Sequence, residues 1–129
     1  MPENPQGEVN DEDFGRYQQA WSDGDVEGIV TGMTADGLYE ASFGPEPWGR
    51  RYVGHDEIRA ALIEMGVGQP GHANHVYGER FTIGNRGFSE WTSTSTAEDG
   101  TTSTVHGADF YEFRDGLVSK KIAYRKGGA

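Results

Sequence analysis

Three short glycine-bearing breaks, Gly84-Asn85-Arg86-Gly87, Asp99-Gly100 and Asp115-Gly116, divide the second half of this chain into strand-like lengths. Each break carries residues that tolerate the positive φ angles of tight hairpin turns. The segments between them, near 73–83, 88–97, 101–113 and 117–126, are rich in β-branched and aromatic residues, which suit a pleated, half-buried surface. Strands joined by such short links must run antiparallel, because a parallel pair needs a crossover of about a dozen residues or more.

The first half reads as helix. Phe14, Tyr17 and Trp21 recur at three- and four-residue spacing and form one apolar stripe. Asn10 or Asp11 caps this helix, with Glu12 and Asp13 favourably placed in its first turn. Ser22-Asp23-Gly24-Asp25 ends it, and Asp25 caps a short second helix with Val26, Ile29, Val30 and Met33 on its buried side. Ala35-Asp36-Gly37 reads as a turn, and Leu38 to Phe43 as a strand. Gly44-Pro45-Glu46-Pro47-Trp48-Gly49 is a loop. Gly54-His55-Asp56-Glu57 leads into a third helix that buries Ile58, Ala61, Leu62 and Met65, and Gly66, Gly68 and Pro70-Gly71 stop it. The expected fold is α+β, with three N-terminal helices packed on one face of a curved, mostly antiparallel sheet. Residues 1–9 hold two Pro, a Gly and an Asn and read as a disordered tail, leaving 10–129 as the single domain.

Charge narrows the function classes. Residues 1–49 hold eleven of the 21 acids and a single base, Arg16, whereas residues 50–129 balance ten acids with ten bases. So acidic a field repels phosphate backbones, which argues against nucleic-acid binding. The acids read either as a solvated helical face or as a docking surface for a basic partner. The absence of Cys removes disulfides, thiolate metal sites and cysteine nucleophiles. No apolar run is long enough to span a membrane, and the start lacks the basic and apolar regions of a signal peptide. A cytoplasmic protein is expected.

Asp109 is the most informative position. It lies mid-strand and alternates onto one face with Val105, Tyr111 and Phe113. A carboxylate on an apolar face must be paired, hydrogen-bonded or neutralised. It is then either a general acid in a cleft or a group that Arg or Lys neutralises structurally, unless its face looks outward. Tyr17 offers a ring for the core or a hydroxyl for a substrate oxygen. His75 shares a strand face with Tyr77, Phe81 and Ile83, and is either an acid–base group or a core histidine. Glu40 is expected outside, opposite Tyr39, Ala41 and Phe43. Either Glu90 or Trp91 faces inward; Lys120 and Lys121 point to opposite faces of the last strand, and Lys121 either reaches Asp109 or lies at the surface, the commoner place for a lysine. His72 and His75 have no third ligand near them in sequence, so no metal site is expected. No phosphate loop, nucleophile elbow or dinucleotide fingerprint calls for a cofactor; Gly66-Val67-Gly68 follows a helix, not a strand.

Three motifs in order carry a family resemblance. The first runs from Arg16-Tyr17 through Gly24-Asp25-Val26-Glu27-Gly28-Ile29-Val30 to Ala35-Asp36. The second is Gly54-His55-Asp56-Glu57-Ile58-Arg59, and the third is Gly107-Ala108-Asp109-Phe110-Tyr111-Glu112-Phe113-Arg114-Asp115-Gly116. Together they resemble the SnoaL-like branch of the nuclear transport factor 2-like superfamily, which includes polyketide cyclases and ketosteroid isomerases. The resemblance implies a cone-shaped α+β barrel with an internal, mostly apolar pocket and no cofactor. It implies catalytic roles for Asp109 and Tyr17; His75, if it points inward, joins them as a proton shuttle, and Trp91, Glu90, Ala41, Tyr111 and Lys121 are read as the residues that contact substrate. Tyr17 and Asp109 match the oxyanion-hole pair of the steroid isomerases, whose aspartate is kept neutral to donate a hydrogen bond; in the cyclases the matching aspartate is the acid–base residue. Ala41 falls where the isomerases keep their aspartate base, so any base here is Asp109, His75 or Glu90. The expected activity is cyclisation, isomerisation or dehydration of an apolar, carbonyl-bearing small molecule of polyketide or terpenoid type. The alternative is a non-catalytic binding or accessory protein. Family precedent, with Phe110, Ile122 and Tyr124 on a face needing cover, implies a homodimer.

Overall fold

The computed structural model describes residues 9–72 and 74–126. Of the expected tail, only Val9 is among them; its N–H donates to Gly84 O at 2.9 Å. Helices α1 (Asp11–Asp23), α2 (Val26–Thr31) and α3 (Gly54–Glu64) accompany strands β1 (Met33–Glu40), β2 (Arg51–Val53), β3 (Asn74–Ile83), β4 (Arg86–Thr96), β5 (Thr102–Arg114) and β6 (Leu117–Arg125).

Local chemistry sets the helix limits. Asn10 Oδ1 accepts from the N–H groups of Glu12 (2.8 Å) and Asp13 (3.3 Å), a cap worth about 1 kcal/mol. Gly24 ends α1 in the left-handed region at φ 68°, where a side chain would be strained. Asp25 then caps α2 through Gly28 N–H at 3.0 Å. Arg59 of α3 grips Glu27 of α2 with two nitrogens, at 2.7 and 3.0 Å; the Ile-Arg of the second motif thus ties two helices together.

The sheet order is β2-β1-β6-β5-β4-β3. All pairs are antiparallel except β1 with β6. Phe14, Tyr17, Trp21, Ile29, Val30, Ile58 and Leu62 of the helices meet Tyr39, Tyr111, Phe113 and Val118 of the sheet in one buried core. Phe14 sets its ring edge-on against Tyr111 (4.8 Å) and Phe113 (5.2 Å).

The four-strand meander and the three helices lie close to their expected limits, and four expectations change. Met33 opens β1 rather than closing α2, and the expected turn at Ala35-Asp36-Gly37 is an irregularity within that strand, where the register to β6 shifts between Met33 and Leu38. The loop after β1 returns as β2, pairing Tyr39 with Tyr52; three residues are too few to show a periodic signal. The sheet is also open, with β2 and β3 as separate edges, so no barrel closes. α3 packs on β1 and β2 and α1 on β3, occupying the side where closure would occur. Among the described residues no helix is long and apolar enough to cross a membrane.

Candidate functional site

Residue alternation delivers Asp109 to the core face of β5, beside Tyr111 and Phe113, fully shielded from solvent. Both carboxylate oxygens act as acceptors. Trp91 Nε1–H donates to Oδ1 at 2.9 Å, the Tyr111 hydroxyl to Oδ2 at 3.0 Å, and Lys121 Nζ lies 3.5 Å from Oδ2. Lys121 is itself 3% exposed. Its ammonium stands 4.2 Å from the ring centre of Trp21 and 4.8 Å from that of Tyr39, within cation–π range. A buried cation of this kind needs its partner, since desolvating a lone charge is costly. Burial pulls the Lys121 amine below its ordinary value, and Asp109 opposes that pull.

Two partners of Asp109, Trp91 and Lys121, line a pocket that Asp109 itself does not. A pocket of about 220 Å³ has Lys121, Trp91 and His75 on its strand side and Trp21, Tyr39, Met65 and Val67 around them. Ser93, Ser95 and Val105 extend its wall, and Phe43 and Arg125, both exposed, mark its open end. His75 packs 4.9 Å from the Trp91 ring and 5.8 Å from the Trp21 ring. Burial first, then the positive charge of Lys121 and then His72, bring its imidazole down to about 4. His75 is therefore neutral at pH 7, and the same burial and Lys121 charge make it a weak base.

Tyr17 is buried and edge-on to Tyr111 at 6.0 Å. It makes no hydrogen bond to Asp109; its hydroxyl and the nearby Trp21 Nε1 fall short of bonding geometry and lack partners among the described residues. The Tyr77 hydroxyl and the Gln18 amide are likewise buried and unpartnered. Burial, with the negative charge of Asp109 next, pushes the phenols of Tyr39, Tyr77 and Tyr111 up. Burial also raises Tyr17. All four phenols thus stay protonated and can donate.

The structure brings Asp109, Tyr111, Trp91, Lys121, His75 and Tyr17 into one region. It turns one of the expected residues, Glu90, away from it. Glu90 points to the opposite, exposed side of β4 from Trp91, as strand alternation requires. Ala41 is a core alanine at 1% exposure whose side chain carries no polar atom. Glu40 lies on the outer sheet face as expected but is covered there, accepting from Arg51 Nε at 2.6 Å. Sequence reasoning passed over Trp21 and Tyr39 as pocket residues, although the α1 stripe and β1 alternation already placed both rings inward. A wider groove of about 420 Å³ runs over the acidic surface of α1 and α2 and shares only Tyr17 with this region. Among the described residues no group of three or more potential ligands is placed to hold a metal ion.

With this geometry the family is clear. Residues 14–121 match the model of the SnoaL-like domain, and the chain belongs to that family. Solved structures agree on the fold. An NTF2-like protein of unknown function from Mesorhizobium loti superposes with a TM-score of 0.75 at 22% identity, over 98% of each chain. TerC, co-crystallised with polyporic acid, gives 0.70 at 23% identity, over 95% of this chain and 92% of its own. A protein from Xanthomonas campestris provisionally assigned as a polyketide cyclase gives 0.68 at 18% identity, over 90% and 89%. Among curated proteins no relative of this sequence is found.

Proposed function

We propose that this protein is a cofactor-free acid–base enzyme that cyclises, isomerises or dehydrates an apolar, carbonyl-bearing small molecule of polyketide or terpenoid type. The observation that carries this reading is the buried Lys121–Asp109 pair set against a pocket that also presents a neutral imidazole. In the proposed step the substrate carbonyl oxygen faces Lys121 Nζ. His75 takes a proton from the neighbouring carbon, and the freed electron pair becomes an enolate whose oxygen the ammonium stabilises. Returning the proton to another carbon isomerises the substrate; attack of the enolate carbon on a second carbonyl closes a ring. Asp109 is the positioning residue that holds Lys121 and Trp91 in place, and Tyr111 fixes Asp109. Tyr17 and Tyr77 supply protonated hydroxyls beside this network.

A second reading, a non-catalytic small-molecule-binding or accessory protein, is favoured by one observation. Ala41 stands where the steroid isomerases keep their base and can accept no proton. Either form is proposed to act in the cytoplasm as a homodimer. Support for the dimer comes from a cross-strand apolar row, Phe81, Phe88, Phe110 and Ile122, on the outer sheet face. Phe81 and Phe110 of that row, and the adjoining Tyr124, are each about half exposed, and such a patch favours association.

Exchange of the α-protons of 2-tetralone for deuterium, followed by proton NMR, separates the two forms. The enzyme reading expects exchange well above the buffer rate and its loss in Lys121→Met. Exchange at the buffer rate while 2-tetralone binds supports the accessory protein instead.

A further inference from the structure

The pocket differs in charge from the chain that surrounds it. The sequence holds 21 Asp and Glu against 11 Lys and Arg, for a net charge of −10. Yet among the described residues no carboxylate lines the pocket, and the charged side chains that do are Lys121 and Arg125. The two histidines beside them add no negative charge. Asp109, which contacts the lining residues Trp91 and Lys121, does not itself line the pocket and has both oxygens already engaged by Trp91, Tyr111 and Lys121.

The two cations also share one strand. Both lie on the inner face of β6, separated by two strand alternations with Ala123 between them. Four residues of strand separate their backbone positions by about 13 Å, with Lys121 buried and Arg125 exposed. Arg125 forms no salt bridge among the described residues. The pocket walls are aromatic, with Trp21, Trp91 and Tyr39. A low-dielectric cleft lined by one sign of charge concentrates ligands of the other sign.

We propose that the ligand of this pocket is a planar aromatic acid of one or two rings, with a carboxylate, phenolate or enolate oxygen directed at Lys121. The size follows from the volume of about 220 Å³, below the roughly 300–1,000 Å³ of sites for larger organic ligands. This inference rests on the pocket being the ligand site and narrows the proposed substrate: its ring system is apolar, but one acidic oxygen carries a negative charge. Lys121 keeps N–H donors beyond its contact with Asp109, since an ammonium carries three. The same contact that stabilises an enolate in the proposed reaction would hold an acidic oxygen in the ground state.

Three molecules of one shape test it: 2-naphthoate, 2-naphthalenemethanol and 2-naphthylmethylammonium, titrated at pH 7 by quenching of tryptophan fluorescence. Naphthoate is expected to bind about tenfold or more tighter than the alcohol, and the ammonium weakest. Lys121→Met should bring the acid and the alcohol to equal affinity. If that variant does not fold, Arg125→Gln, at an exposed position, should still narrow the gap severalfold. Equal or tighter binding of the alcohol or the ammonium overturns the inference while leaving the pocket as a ligand site, as does an acid preference that survives the substitutions. Failure of all three to bind overturns the pocket reading, and this inference with it.

Discussion

Gly107 faces Trp91 across the β4–β5 ladder, and a methyl group at position 107 would overlap the six-membered ring of the indole. The missing side chain is what lets Trp91 lie across β5 and reach Asp109 at 2.9 Å. Gly107→Ala is expected to push the indole out of its seat, costing about 1–3 kcal/mol as overpacking does. Near-ultraviolet circular dichroism should register the changed tryptophan environment. An unchanged spectrum with unchanged stability would mean that Gly107 does not seat the indole.

Asp109 and Lys121 should behave as a unit in stability. Asp109→Asn leaves a buried ammonium without its counter-charge and is expected to cost about 3–5 kcal/mol. Lys121→Met removes the charge that needs compensating. Combining the two substitutions should therefore destabilise by less than the sum of the singles, measured by urea denaturation in a double-mutant cycle. Strict additivity would show that the pair is not coupled.

His75 gives stability a pH dependence of known sign. The unfolded imidazole titrates at its ordinary 6.5, whereas the folded one resists protonation down to about 4. Across that window the unfolded state binds the extra proton, so this contribution is complete above about 6.5 and declines as the pH falls. Denaturation midpoints from pH 7 to 4 should fall more steeply in the wild type than in His75→Gln. Parallel curves would place His75 in contact with solvent.

The outer sheet face makes a prediction about assembly. Phe110 lies mid-row, 5.0 Å from Phe88 and 5.7 Å from Tyr124 in ring-centre distance. Light scattering coupled to size exclusion is expected to find a dimer for the wild type and a monomer for Phe110→Lys. A monomeric wild type ends the dimer proposal.

Much of the fold was legible because its signals are local. Asn10 caps, Gly24 stops, the Asp115-Gly116 turn takes positive φ at both residues, and alternation placed Asp109 inward with Tyr111. What escaped the sequence depends on long-range pairing. The irregular start of β1 is held by β6, which lies far along the chain, and Glu40 is covered only because β2 returns with Arg51. The site was legible as a set of inward residues, but not as an order of contacts. That Lys121 and Trp91 stand between Asp109 and the pocket depends on Gly107, whose role in seating an indole carries no periodic signal. Glu90 and Trp91 could not be told apart because register alone decides which of two neighbours faces in.

The rate of α-proton exchange in 2-tetralone as a function of pH, in the wild type and in His75→Gln, tests the acid–base account most directly. The account predicts a rate that holds level from neutral pH downward and falls only as His75 protonates near 4, with His75→Gln reduced to the buffer rate. A wild-type rate equal to buffer, or a His75→Gln variant as fast as the wild type, would contradict it.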